Sequence, residues 1–350
     1  MQELLGRITR LDPQASQALR VIACFDELSI GGVNTRGLLA AAASLSGCVA
    51  GFHAERAQRC MRVTPRGELA TTDMSAARIE ADAGGGLQVW LERDGEPEAN
   101  DTIILERLAL TIRLRHARGP RDIDSRRHLS LVVDHEIPVE ERHVACAALG
   151  LHPGTYYRVA AAPLFAIWTE HPSAPEDVVA TRYGPMHVLV LPKSTQTLQA
   201  GPCGIGVATA VDQLHHSFRT ALLALRLCDP PTTPVVCADE YAGLIDLLAD
   251  ARIDTHQPDV ELVDRVAEHP WGLPTLDVVI RSTSARQAAR LAGVHHSTMQ
   301  TRVEALIDDL GFDPSDGYGR VRAGIAYLSW RLRRSRVLEL PASERPTTRA

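Results

Sequence analysis

The sequence predicts a multidomain α+β protein, with two mixed α/β segments followed by an all-α C-terminal unit. Three observations carry that expectation. Helix-like and strand-like patterns alternate up to about residue 255, only the helical pattern continues from Asp254, and charge is unevenly spread along the chain. At 350 residues there is room for two or three domains of ordinary size. Arg281 to Arg336 holds ten arginines, no lysine and five acids, a net +5 within a total of −6, so the remainder carries −11. An acidic body with a basic end points to a nucleic-acid contact confined to that end.

The first segment opens with "QASQALRVIACFDELS", where Ala15, Ala18, Leu19, Ile22 and Leu28 fall near helical spacing before Gly31-Gly32 breaks the pattern. "TRGLLAAAASLSG" reads as a second helix ending at Gly47. "CVAGFHA" and "GLQVWLERDG" read as strands, the latter flanked by Gly86 and Gly95. In "DTIILERLALTIRLRHAR", Ile104, Leu108, Ile112 and Arg115 give an amphipathic helical pattern, and Asp101 can cap it. Gly119-Pro120 then punctuates the chain, and polar, poorly periodic sequence places a linker near 119–127.

In the second segment "VEERHVACAALGL" reads as a helix, "YYRVAAAPL" and "MHVLVLP" as strands and "CGIGVAT" as a short strand. "VDQLHHSFRTALLALRLC" is a helix and "PVVCADEY" enters a strand or loop, so one sheet covered by helices is expected. The boundaries expected are 1–118, 119–255 and 256–336. The remaining 337–350, "VLELPASERPTTRA", is proline-containing and polar and is expected to be a disordered tail. No internal repeat is visible.

The C-terminal unit carries the most specific signal. "SARQAARLAGVHHSTMQTRVEALIDDLG" reads as two helices around a turn. Ser284 and Gln287 make an S-x-x-Q capping box, and Ala288, Leu291 and Ala292 give a small packing face. Gly293 suits a left-handed helix end, and Val294 supplies an apolar plug. Met299, Val303, Leu306, Ile307 and Leu310 form one continuous apolar face on the second helix. Ser297 and Thr301 then point outward, flanked by Thr298, Gln300 and Arg302, and acids begin only at Glu304. Hydroxyl, amide and guanidinium groups at a helix N-terminus can meet base edges in a major groove, where carboxylates would repel phosphate. His295 is expected in the turn and His296 against DNA backbone or a base edge. Arg281, Arg286, Arg290, Arg320 and Arg322 are candidates for phosphate contacts. An ordinary pair of antiparallel helices shares much of this pattern.

This stretch, with Val294, His295, Thr298, Arg302 and Leu306, and the following "GRVRAGIAYLSWRL", resembles the C-terminal helix-turn-helix of PucR/CdaR-type transcriptional regulators. The last helix is expected to bury Val321, Ile325, Leu328 and Leu332. The family often has a basic or aromatic residue where this chain has Gln300 and Thr301, which bears on the operator sequence. "AALGLHPGTYYRVAA", "HVLVLP" and "CGIGVATAVDQLHHSFRTALLALRLC" resemble the degenerate GGDEF-like α/β domain of that family, and the first segment its GAF-like α/β sensor domain. The resemblance implies a cytoplasmic, dimeric regulator of double-stranded DNA, with a small-molecule effector possible at the GAF-like domain. The alternative is a GAF-containing sensory or scaffold protein that acts through protein partners.

Other chemistries find little support. Cys24, Cys48, Cys60, Cys146, Cys203, Cys228 and Cys237 show no C-x-x-C spacing, which suits reduced thiols in a cytoplasm and neither a zinc site nor a disulfide scaffold. "TRYGPMHVLVLP", at the hairpin where a cyclase needs paired glycines and carboxylates for magnesium, has one glycine, a proline and no acid. No enzymatic activity, metal or cofactor is therefore expected. Neighbouring His215 and His216 diverge on a helix and cannot share a metal. Gly84-Gly85-Gly86 lacks the Lys-Ser/Thr of a phosphate loop. Cys24, Phe25, Cys48, Phe52 and Trp90 fit either an apolar cleft or ordinary core, with core favoured. The N-terminus lacks a signal-peptide pattern, and no apolar run reaches the roughly 18 residues of a membrane span.

Overall fold

The computed structural model describes residues 13–71, 77–117, 128–250 and 257–339. The linker expected over 119–127, and 340–350 of the expected tail, lie outside them. The chain forms two compact units, the first running to Glu240 and the second spanning Tyr241–Arg336. Its content is mixed α and β, with sheets in the first unit and helices throughout the second.

The first unit begins with α1 (Pro13–Ile30) and α2 (Thr35–Ser46). A four-stranded antiparallel sheet follows, built from β1 (Val49–Ala54), β2 (Arg59–Val63), β3 (Ile79–Gly84) and β4 (Leu87–Glu92) in the order β2-β1-β4-β3. α3 (Asp101–Ala117) packs on α1, α2 and the strands β3 and β4. The two expected strands are the central pair. The edge strands β2 and β3 were not legible, because "RCMRV" and "IEADAG" carry the charges that an exposed sheet edge tolerates. Gly84 ends β3, and Gly85-Gly86 makes the turn into β4.

Two expectations shift. The buried stripe of α1 is Val21, Cys24, Phe25 and Leu28, while Ala18, Leu19 and Ile22 are half-buried. Ala15 lies outside the described side chains. Asp101 is the first residue of α3 and does not cap it from outside. Its buried carboxylate accepts from the Glu98 amide at 2.8 Å and pairs with Arg93 at 2.6 Å, which also holds the Ser46 carbonyl at 2.5 Å. Phe25 and Phe52 are fully buried, Cys24 and Trp90 nearly so and Cys48 partly, so these residues pack as core.

The same unit continues through α4 (His128–Val132) and α5 (Val139–Ala148) into β5 (Tyr156–Pro163), β6 (Ile167–Trp168), β7 (Glu176–Thr181) and β8 (Gly184–Pro192). Then come β9 (Ala200–Gly201), β10 (Cys203–Ile205), β11 (Thr209–Ala210), α6 (Leu214–Arg226) and β12 (Val235–Cys237). The second sheet runs β12-β10-β5-β8-β7, with β11 beside β5, and α6 covers β5 and β10. The expected strand "CGIGVAT" splits in two. Ser217 and Thr220 on α6 bond the carbonyl and amide of Val207 at 2.7 and 3.1 Å, replacing ladder bonds between β10 and β11. His215 faces Arg142 at 2.8 Å; burial and then that cation lower its pKa, so the neutral ring accepts.

The second unit contains α7 (Gly243–Asp250), α8 (Pro258–Glu268), α9 (Gly272–Ile280), α10 (Ala285–Leu291), α11 (His296–Leu310) and α12 (Gly317–Arg334). Val263, Leu276, Ala288, Met299, Leu306 and Ala323 sit in one shared core. α12 is rotated from its expected setting. Ala323, Ala326, Ser329 and Leu332 are buried and Leu328 nearly so, whereas Val321 and Ile325 are 53% and 39% exposed. The small residues allow close helix crossing, and a bond from the Trp330 ring to Asp264 on α8 at 2.8 Å fixes the rotation. Among the described residues, no helix is long and apolar enough to cross a membrane.

Candidate nucleic-acid interface

The stretch from Thr283 to Gly311 forms two helices joined by a tight turn. Ser284 caps α10, accepting from the Gln287 amide at 3.3 Å, while the Gln287 side chain reaches back to the Thr283 amide at 2.9 Å. The capping box is therefore present with its return arm displaced by one residue. At the other end Gly293 adopts φ +65°. The Val294 amide bonds Ala289 at 3.0 Å and the Gly293 amide bonds Arg290 at 3.3 Å, the paired bonds of a Schellman ending. Ala288 and Ala289 are buried, so the helices meet through methyl groups.

His295 is the N-cap of α11. Its Nδ1 accepts from the Ser297 amide at 3.3 Å and lies 2.8 Å from the Ser297 hydroxyl. His296 is half-buried, and its Nδ1 has no hydrogen-bond partner among the described residues. Ser297, Thr298, Gln300 and Thr301 are exposed on the first two turns, and the first turn contains no acid. The Thr301 hydroxyl rests on the Ser297 carbonyl at 3.3 Å. On the inner side Met299, Leu306 and Leu310 are buried, with Val303 and Ile307 half-buried.

The basic residues are not equivalent. Arg286 and Arg290 are exposed one turn apart on α10 and make no ion pair among the described residues. Arg281 is exposed and pairs with Asp277 at 3.0 Å. Arg302 is half-buried, with its guanidinium 5.4 Å from the centre of the Trp271 ring. Arg320 turns back to the Ser315 carbonyl ahead of α12. Arg322 holds Asp259 through both carboxylate oxygens at 2.6 Å and lies over Phe312. Ser297, Thr298, Gln300 and Thr301 thus form one exposed polar surface. Arg302, Arg320 and Arg322 are engaged in holding the unit together.

Sequence reasoning missed the support beneath Arg302. His269 stacks on Trp271 at 4.7 Å and reaches Asp309 at 3.1 Å, so two residues before α9 brace α11 near its middle and end. The tryptophan in "HPWGLP" was the visible signal, but nothing local names its partner.

No protein-family model matches the chain. No curated protein shows significant similarity to it. Among solved structures, a regulator of polyketide synthase expression from Bifidobacterium adolescentis is 14% identical. That match covers 59% of this chain and 90% of the other, with a TM-score of 0.22.

Proposed function

We propose that the protein is a sequence-specific regulator of transcription that binds double-stranded DNA through α10 and α11 as a helix-turn-helix. The observation carrying this reading is the capped N-terminus of α11, which offers Ser297, Thr298, Gln300 and Thr301 to solvent with no acid among them. Hydroxyls and amides of this kind can donate to and accept from base edges, while Arg286, Arg290 and Arg281 supply phosphate contacts. The protein acts as a homodimer, because one short helix reads only a half-site. The first unit forms the sensing and dimerising body, in keeping with the PucR/CdaR resemblance, and no catalytic step is assigned to it.

Binding of the full chain to DNA upstream of its own gene, followed across a salt series, tests this. Thr301→Ala is expected to relax discrimination between that DNA and random sequence. Arg302→Ala is expected to weaken both, because it removes the contact with Trp271 as well as a charge. Binding that shows no sequence preference, or that ignores both changes, sinks the proposal.

A further inference from the structure

Where α1 meets the second sheet lies a cluster of titratable groups that the DNA reading does not use. His171 sits with Glu27 of α1 at its Nδ1, 2.9 Å away, and Glu176 of β7 at its Nε2, also 2.9 Å away. The second oxygen of Glu176 accepts from Nε2 of His187 on β8 at 2.5 Å. Trp168 of β6 is tilted against both imidazoles, 5.5 and 5.3 Å between ring centres. The side chains of Glu176 and His187 are almost wholly buried and that of His171 is 10% exposed. Among the described residues, no group of three or more His, Cys, Asp or Glu is arranged to hold a metal ion.

The geometry favours the charged form of His171. A neutral imidazole has one N–H, so it cannot donate to carboxylates at both nitrogens. His171 meets a carboxylate on each side, and donating to both takes the imidazolium. Burial opposes that charge, but hydrogen bonding and attraction from Glu176 and then Glu27 outweigh it, and the pKa is raised. The groups facing His171 are Glu27 from α1, Glu176 from β7, the His187 ring from β8 and the uncharged Trp168 ring from β6. Asp177, next along β7, engages Asn34 instead.

We infer that His171 is a proton-operated latch fastening the C-terminal end of α1 to the second sheet. When charged, it donates to one carboxylate from each side. When it loses a proton, one of its two bonds is lost: either Glu27 loses this donor or Glu176 keeps only His187. The adjoining turn is shaped to this contact, since a Cβ on Gly31 would overlap the Glu176 carboxylate. Because the folded pKa lies above the ordinary histidine value, the latch is complete below that ordinary value and is lost as pH rises through the raised pKa. The latch is independent of what the second unit binds.

Histidine-selective NMR on the full chain, with His171→Gln for assignment, gives the midpoint of this titration. Hydrogen exchange over 27–34, corrected for intrinsic pH dependence, reads the contact. Protection is expected to hold below the His171 midpoint and to fall by about tenfold for each pKa unit of coupling above it. His171→Gln should show the high-pH level throughout. Glu27→Gln, a milder change at a partly exposed position, should move the midpoint to lower pH by removing one charge. Protection that does not follow the His171 midpoint, or a midpoint unmoved in Glu27→Gln, overturns the latch.

Discussion

Asp177 shows how one buried side chain sets a pH dependence. It is 5% exposed, and burial pushes its carboxyl up to about 7, against the opposing bond from the Val178 amide and the attraction of Arg115. A carboxyl raised above its unfolded value near 3.8 binds a proton in the folded chain that the unfolded chain has released. Stability from this group is therefore complete at low pH and declines as pH climbs. The loss is about 1.4 kcal/mol per pH unit up to pH 7 and levels off above it. Asp177→Asn keeps an acceptor for Val178 but cannot titrate. The stability of the variant relative to the wild type is expected to climb along that slope from pH 5 to 7 and then hold steady, measured by denaturant unfolding of the full chain. A difference independent of pH would assign the shift elsewhere. Arg158 makes the opposite case, a buried cation with its partners in place. Its guanidinium holds the carbonyls of Lys193 and Gly206 at 2.7 and 3.1 Å and the Asp239 carboxylate at 2.5 Å. Arg158→Met leaves three acceptors without their donor, and a loss of about 2–4 kcal/mol is expected in the same measurement, reduced from the fully buried case because Asp239 is 43% exposed.

The turn between α10 and α11 shows at the scale of elements what a sequence can and cannot disclose. Gly293, Ser284 and Met299 were legible because caps, left-handed positions and helical periodicity are local properties, fixed within a few residues. The central strands β1, β4, β5 and β8 were legible because they are runs of apolar residues bounded by turn formers. β7 was not. Its "EDVVAT" begins with two acids, and only the fold brings Asn34, His171 and His187 to hydrogen-bond them. The rotation of α12 was hidden for the same reason. Val321 and Ile325 are the stronger apolar signal, yet Ala323 and Ala326 face the core, a choice made by the shapes of α8 and α9. At the candidate site the polar row on α11 was readable, while the engagement of Arg302, Arg320 and Arg322 depends on partners 31, 5 and 63 residues away. The turn offers a direct check. A Cβ at Gly293 meets nothing within 4 Å, so Gly293→Ala costs only the backbone conformation, about 1 kcal/mol. Unfolding of the second unit followed at Trp271 and Trp330 is expected to shift down by roughly 4–8 °C. An unchanged midpoint would mean that the turn is not held in this conformation.

At the scale of the whole molecule, the partition of charge constrains how DNA would be bound under the proposed function. A chain carrying −11 outside Arg281–Arg336 repels DNA over most of its surface, so attraction must come from a few cations in one region. Arg286 and Arg290 fit that role because they are exposed and make no ion pair among the described residues, whereas Arg322 is already held by Asp259. Each phosphate neutralised releases counterions, so affinity falls with salt at a logarithmic slope of about −0.9 per contact. In a dimer each substitution counts twice. Arg290→Ala is therefore expected to reduce the slope by about 2, weakening specific and random DNA alike. Gln300→Ala should behave in the reverse manner, leaving the slope intact while discrimination falls by about 1–3 kcal/mol. Arg322→Ala should act mainly through lost packing, lowering thermal stability more than the slope. The three variants measured together separate phosphate contact, base reading and scaffold. If Arg290→Ala leaves the slope untouched while Arg322→Ala reduces it, the phosphate track runs along α12 and not α10, and the proposed docking of α11 is wrong.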